Sequence, residues 1–128
     1  MTQEGLMVGD WMQHANGNYF RVTRIDRRSD GSIHFACGHP HLWEYNNKFN
    51  PIPLTAEVLE KIGFWYEQNV GYVMEEYEYE IIYDLLDHKL RILKNREQIL
   101  NLEYFNKMCL HQLQHALRLC GIDREITI

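Results

Sequence analysis

Residues 76–85, Glu-Tyr-Glu-Tyr-Glu-Ile-Ile-Tyr-Asp-Leu, alternate apolar and acidic side chains and decide the fold class. A period of two is typical of a half-buried strand. The pattern predicts a strand over residues 77–85 whose covered face carries Tyr77, Tyr79, Ile81 and Tyr83. Asp87-His88 predicts a turn into a partner strand at 89–93, and a further strand is expected over 99–105.

Two helices are expected beside this sheet. Asn50-Pro-Ile-Pro-Leu54 predicts an extended boundary, because two prolines exclude a central strand. Thr55 then suits the N-cap of a helix of about two turns, and Gly63 suits the position after its end. A second helix is predicted from Lys107 to Cys120. Its expected buried face consists of Leu110, Leu113, Leu117 and Cys120.

The first third of the chain favours short strands and tight turns. Residues 6–13 predict a strand with a bulge at Gly9, and Asn16-Gly17-Asn18 is a strong hairpin signal. Strands are expected at 19–25 and 32–37, separated by a turn at Ser29-Asp30-Gly31. These elements predict a small β meander or an SH3-like unit.

The fold class that follows is α+β. An N-terminal β unit over residues 1–49 is followed by residues 50–128, an antiparallel sheet packed by a short helix and a C-terminal helix. At 128 residues, both parts are expected to belong to one compact domain.

Charge is unevenly placed along the chain, which carries a net charge of −5. Residues 1–50 hold five basic and five acidic side chains, whereas residues 51–128 hold eight and thirteen. This balance disfavours nucleic acid as a partner, because affinity for nucleic acid comes mainly from neutralising phosphates.

The cysteines and the apolar runs bear on the compartment. Cys37, Cys109 and Cys120 form no dense disulfide framework, which fits a reducing cytoplasm. No run reaches the ~18 apolar residues of a membrane span, and the first residues lack the pattern of a signal peptide. We therefore expect a cytoplasmic protein that does not bind membranes.

A cluster of arginines is the best candidate for ligand binding. Arg21, Arg24, Arg27 and Arg28 lie close together in sequence, and with Trp11 and Trp43 they could form a small patch that binds an anion or a nucleotide. Arginine pairs bidentately with phosphate or carboxylate, and aromatic rings stack on bases. On a regular strand Arg21 and Arg27 would share one side and Arg24 and Arg28 the other. A solvated hairpin with buried aromatics is the structural alternative.

Catalytic and metal-binding patterns are weaker. Cys37-Gly-His39-Pro-His41 could supply three zinc ligands, and His111 and His115 lie four apart on the predicted last helix. Gly38 and Pro40 favour a turn that breaks a shared face, however. By helical projection, His111 and His115 are expected on the solvent side with Arg118. We therefore expect no metal, no cofactor and no catalytic residue.

Three stretches carry a resemblance to a family. They are similar to segments of small uncharacterised proteins from gut Bacteroidetes and their phages and mobile elements, and they are Asn50-Pro-Ile-Pro-Leu-Thr55, Ile62-Gly63-Phe64 and His111-Gln-Leu-Gln114. The likeness begins at Leu6-Met-Val-Gly-Asp10 and extends to the predicted C-terminal helix. The resemblance spans most of the chain. It implies no activity, but a phage or mobile-element origin would favour a host-interaction or anti-defence role.

Three function classes follow from the sequence. A non-enzymatic binding module for a protein or a small anionic ligand comes first. A metal-dependent hydrolase using Cys37, His39 and His41 is the alternative from enzyme chemistry. A purely structural or oligomerising protein is the third, and the oligomeric state is open.

Overall fold

The computed structural model describes residues 7–27, 29–31, 33–37, 42–45, 49–104 and 106–128. The chain divides into two units, residues 1–52 and residues 53–128, here called the N-terminal unit and the C-terminal unit. Each contains an antiparallel sheet, and the two helices belong to the C-terminal unit. The predicted α+β class is confirmed.

The described residues of the N-terminal unit form five strands in the order β4-β3-β2-β1-β5, and every pair of neighbours is antiparallel. β1 to β4 follow one another as the predicted meander, and β5 returns to pair with β1. The strands are β1 (Trp11–His14), β2 (Tyr19–Arg27), β3 (Ile33–Cys37), β4 (Leu42–Tyr45) and β5 (Phe49–Pro51).

The start of this sheet differs from the sequence prediction. The hairpin at Asn16-Gly17-Asn18 is confirmed, with the Asn18 amide donating to Asn16 Oδ1 over 2.9 Å. The first strand begins at Trp11 and not at residue 6, and Gly9 lies in a turn before it. The bulge expected at Gly9 is found instead in β2, between Val22 and Arg24.

The C-terminal unit contains α1 (Ala56–Lys61), a five-stranded sheet in the order β10-β9-β8-β7-β6, and α2 (Leu110–Leu119). Its strands form a continuous series of hairpins. They are β6 (Trp65–Glu67), β7 (Gly71–Glu76), β8 (Tyr79–Asp84), β9 (Lys89–Lys94) and β10 (Glu97–Glu103).

The strand predicted over 77–85 is shorter and follows a tight turn. Tyr77 has a φ of +52° and is 93% exposed, so its assignment to the covered face is wrong. Tyr77 and Glu78 form the turn of the β7–β8 hairpin. Ile81 and Tyr83 are fully buried as predicted, and Ile82 is buried as well. The alternation of tyrosine and glutamate continues through residues 77 and 78, and no glycine or asparagine marks the turn there. The sequence pattern therefore does not predict this hairpin.

α1 begins and ends where the sequence indicates. The Val58 amide donates to Thr55 Oγ1 over 3.2 Å, which is the N-cap bond expected of threonine. Gly63 follows the C-cap with a φ of +110°, a left-handed conformation that glycine adopts without strain. Arg124 Nη2 also lies 2.8 Å from where a Cβ on Gly63 would be, so a side chain there would displace the guanidinium.

α2 is buried on more of its surface than its leucine spacing predicts. Leu110, Leu113 and Leu117 are buried as expected, and Cys120 is half-buried. His111, however, is 3% exposed, so its expected position on the solvent side is wrong. Gln114 is also buried. The physical reason is that a helix covered on two sides buries polar side chains that a one-face projection assigns to solvent.

The backbone of Met108 connects three elements of the C-terminal unit. Its amide donates to Tyr83 Oη over 3.3 Å, and its carbonyl accepts from the Leu54 amide over 2.8 Å. Met108, Tyr83 and Leu54 are all fully buried. This chain of hydrogen bonds joins β8 to the segments that lead into α1 and α2.

The packing of α2 can be tested by a matched pair of leucine variants. Leu113→Ala is expected to lower the free energy of unfolding by about 2–5 kcal/mol, because it leaves a cavity in a fully buried site. Leu119→Ala, at a side chain that is 77% exposed on the same helix, should change it by less than about 0.5 kcal/mol. Urea unfolding measures both, and equal losses would contradict the observed rotation of the helix.

Tyr83→Phe tests the bond to Met108. The variant leaves a buried amide without its acceptor and should cost about 1–3 kcal/mol. Burial raises the pKa of Tyr83 above its usual value of 10.0. Because the folded-state pKa is the higher one, its contribution to stability is present below pH 10 and is lost as pH rises beyond it. Tyr83→Phe should therefore lose less stability than the parent above pH 10, and an identical alkaline decline in both proteins would contradict this assignment.

Candidate functional site

Trp11 and Arg21 form the first part of the candidate site. They are directly opposite each other in the β1–β2 pair, so their side chains share one face of the sheet. The neighbouring residues Met12 and Val22 are buried in the hydrophobic cluster of this unit. Trp11 and Arg21 therefore lie on the face turned away from that cluster.

A β-bulge in β2 brings Arg24 to the same face. Val22 is opposite Cys37 and Arg24 is opposite Ala36, so Thr23 is the extra residue between two consecutive pairs. Thr23 Oγ1 donates to the Ala36 carbonyl over 3.1 Å, which fastens the bulge to β3. Side chains along a strand point alternately to the two faces of the sheet. Because the bulge adds one residue, each side chain after Thr23 points to the opposite face from the one it would occupy in a regular strand.

The hydrophobic cluster verifies this reversal independently. Phe20 and Val22 contact the cluster before the bulge, and Ile25 contacts it after the bulge. Even-numbered residues thus face the cluster first and odd-numbered residues later. The prediction that Arg24 lies on the other side from Arg21 is therefore wrong, because Arg24 shares the face of Arg21.

The face of the sheet that bears Trp11, Arg21 and Arg24 is here called the arginine face. Ala36 is opposite Arg24 on one side and opposite Trp43 on the other. Trp11 and Arg21 thus form one row of the sheet, and Arg24 and Ala36 belong to the adjacent row, in which Trp43 is the register partner of Ala36. The side chains of Arg27 and Trp43 lie outside the described residues. Arg28 lies outside the described residues.

The turn before β1 positions Arg21. Arg21 Nε donates to the Gly9 carbonyl over 3.4 Å. The same turn is held by Asp10, which is fully buried and whose Oδ2 accepts from the Met7 amide over 2.7 Å. The Gly9 amide donates to the Val22 carbonyl, and the Val22 amide donates to the Asp10 carbonyl, which anchors the turn to β2. Asp10 therefore acts on the site by fixing the segment that Arg21 contacts.

One carboxylate borders the arginine face. Asp26 follows Arg24 by two residues and lies on the same side of β2. Arg24 is exposed, whereas Arg21 and Asp26 are half-buried. The arginine face is therefore positively charged at Arg21 and Arg24, and the positive charge decreases towards Asp26 at the C-terminal end of β2.

The proposed zinc ligands are placed only in part. His39 and His41 lie outside the described residues, while Cys37 ends β3. Among the described residues no group of three or more His, Cys, Asp or Glu side chains could hold a metal ion. The rings of His111 and His115 lie 5.7 Å apart, edge to face, on α2.

The thiols of the C-terminal unit are poorly suited to nucleophilic catalysis. Burial raises the pKa of Cys109 and of Cys120 above the usual value of 9.0. Since the thiolate is the reactive form, a raised pKa lowers reactivity at neutral pH. Cys109 is instead the N-cap residue of α2, and its amide donates a hydrogen bond to Gln112 Oε1 over 2.8 Å.

The acidic side chains of residues 76–80 do not form one solvated row. Glu76 accepts from Arg124 Nη1 over 2.6 Å, and Glu78 is exposed in the hairpin turn. No motif marks the bond between Glu76 and Arg124, which are far apart in sequence, so only the tertiary structure identifies it.

No described helix has the length and apolar character needed to cross a membrane.

Alkylation tests the assignment of Cys109. Iodoacetamide at neutral pH should leave Cys109 of the folded protein unmodified, because the side chain is 8% exposed and its thiolate is disfavoured. Denaturant should make it as reactive as an ordinary cysteine. Peptide mapping by mass spectrometry gives the modified fraction at each site, and rapid labelling of Cys109 in the folded protein would contradict its buried position.

Comparison with known proteins finds no matching family model, no matching curated protein and no matching solved structure. The function is therefore inferred from the residues and geometry of the chain itself.

Proposed function

We propose that this chain is a non-enzymatic binding module whose arginine face takes a small anionic ligand bearing a phosphate or carboxylate group. The observation that carries the proposal is the bulge at Thr23, which places Arg21 and Arg24 on the face of Trp11. On a regular strand the two arginines would point to opposite sides.

The chemistry of these side chains suits an anion. A guanidinium donates two parallel hydrogen bonds to a phosphate or carboxylate, and two such groups on one face can hold a single anion between them. Trp11, directly opposite Arg21, offers an aromatic surface for a ring attached to that anion. Charge and stacking together favour a ligand such as a nucleotide over a bare ion.

The distribution of charge supports the same face. Residues 1–50 have no net charge, whereas residues 51–128 carry the whole net charge of −5. A small anion is therefore repelled less by the N-terminal unit than by the C-terminal unit. A long nucleic acid gains little here, because its affinity depends on many basic contacts.

We also propose a biological role, in which the chain interacts with a component of a host cell. The resemblance to proteins of Bacteroidetes phages and mobile elements supports a role in which a host-derived anion or an acidic host protein is bound. The pairing of β5 with β1, the connection used by SH3-like units, supports a small β scaffold as the element that presents the site.

Charge reversal on the arginine face tests the proposal. The probe is adenosine monophosphate, titrated into the ¹⁵N-labelled chain and followed by amide chemical shifts. Arg21→Glu with Arg24→Glu should weaken binding by about tenfold or more, because two charge-assisted contacts become repulsive. Lys107→Glu with Arg118→Glu makes the same change in net charge at exposed positions of the C-terminal unit and should leave binding unchanged.

Two further measurements separate the contribution of stacking on Trp11 from the contribution of charge. Inorganic phosphate should shift the same amides but bind more weakly, because it lacks a ring to stack on Trp11. Affinity should also fall between about 0.05 and 0.3 M salt, since exposed charges are screened. Equal weakening by both double variants, or shifts confined to the C-terminal unit, would refute the arginine face as the site.

A further inference from the structure

A cleft lies at one end of the C-terminal sheet, between two turns. The turn 68–70 joins β6 to β7, and the turn 85–88 joins β8 to β9. Because Tyr72 is opposite Tyr83 in the β7–β8 pair, both turns meet at the same end of the sheet. The space between them is about 430 Å³ and is here called the tyrosine cleft.

Two tyrosines and a glycine line the tyrosine cleft. The rings of Tyr66 and Tyr72 lie 5.4 Å apart at 62°, and the two residues are opposite each other in the β6–β7 pair. Gly71 has a φ of +120°, and a Cβ there would lie 2.9 Å from the Tyr83 carbonyl oxygen. A side chain at residue 71 would force β7 away from β8, so glycine keeps the cleft and the strand pairing compatible.

Three exposed apolar or aromatic side chains lie on the rim of the tyrosine cleft. Tyr66 is 62% exposed, Val70 38% and Leu86 90%. Such side chains gain by being covered, and their grouping around one cleft is typical of a binding surface. Leu86 has the largest exposed fraction of the three side chains, because it lies at the tip of the β8–β9 turn.

Fixed negative charge accompanies the apolar rim. Asp84 lines the cleft, and its Oδ1 accepts from the Leu86 amide over 2.9 Å and from the Asp87 amide over 3.2 Å. Glu67 and Asp87 are exposed at the two turns. The nearby cation Lys89 is engaged by Glu103, with a separation of 3.7 Å. The cleft therefore favours a cation over an anion.

We infer that the tyrosine cleft is a docking site for an extended segment of a partner protein that carries arginine or lysine between apolar residues. The apolar side chains of such a segment would cover Leu86 and Val70, while its cation would lie over an exposed tyrosine ring, an arrangement that ring electrostatics favour. Asp84, held in place by the two turn amides, adds charge complementarity. This site differs from the arginine face in position, in chemistry and in the sign of the charge it selects.

The test uses two short probes that differ only in charge. Acetyl-Leu-Arg-Leu-amide and acetyl-Leu-Glu-Leu-amide are titrated into the ¹⁵N-labelled full chain, and the amides of Gly71 and Leu86 are followed. The arginine probe should give saturable shifts there, with an affinity roughly three times that of the glutamate probe or more. Added salt should narrow the difference between the two probes.

Variants at exposed positions identify the contact surface. Tyr66→Ala and Leu86→Ala should each weaken the arginine probe by roughly threefold or more, because each removes apolar area that the probe covers. Leu119→Ala, an exposed leucine on α2, is the matched control and should have no effect. Unchanged melting temperatures exclude unfolding as the cause, and Arg21→Glu with Arg24→Glu should leave this affinity intact.

Three outcomes would overturn the inference. Equal affinity for the two probes would show that the cleft does not select charge. Shifts at amides away from the two turns would place the docking site elsewhere. Self-association of the chain that Leu86→Ala abolishes, measured by sedimentation velocity, would make a second copy the occupant in place of a basic segment.

Discussion

One extra residue in β2 determines which side chains the N-terminal unit presents. Thr23 is inserted between the pairs Val22–Cys37 and Arg24–Ala36, and its hydroxyl is bonded to the Ala36 carbonyl. A bulge is conformationally costly because it interrupts the ladder, yet here both flanking segments keep their apolar residues in the same cluster. The reversal that keeps Ile25 in the cluster also brings Arg24 to the face of Arg21, and the proposed function depends on that placement.

The C-terminal unit depends on a different constraint, the buried hydrogen bonds at Met108. Because its amide and its carbonyl are both satisfied by fully buried partners, the segment entering α2 is fixed to β8 and to the segment entering α1. Buried polar groups that are fully bonded specify a unique arrangement, whereas loss of one partner leaves a desolvation cost. The register of the β6–β7, β7–β8 and β8–β9 pairs in turn brings the two turns of the tyrosine cleft together.

Local signals made much of the fold predictable from sequence. Asn16-Gly17-Asn18 and Thr55 each act through their own backbone or the next turn of chain, so their effects do not require knowledge of distant residues. The arginine cluster was also identifiable as a candidate site, because its four arginines lie close together in sequence. Its arrangement was not, because a bulge has no residue signature here and a single inserted residue reverses every later side chain.

Other features were hidden because they depend on tertiary contacts. The Tyr77–Glu78 turn adopts a positive φ at a tyrosine, where propensity disfavours it, so the adjoining strands and not the local sequence impose the turn. The burial of His111 requires a helix covered on two sides. The tyrosine cleft requires β6, β7 and β8 in their observed order, since its tyrosines come from two strands and its charge from a third.

The central claim, that Thr23 is an extra residue that sets the arginine face, is tested most directly by deleting it. Urea unfolding of the variant lacking Thr23 is the measurement. Removal should restore a regular ladder, keep Ile25 in the cluster and cost no more than about 1.5 kcal/mol, the contribution of the lost hydroxyl bond. In a regular strand the same deletion would turn Ile25 out of the core. Failure of the variant to fold cooperatively would therefore contradict the account.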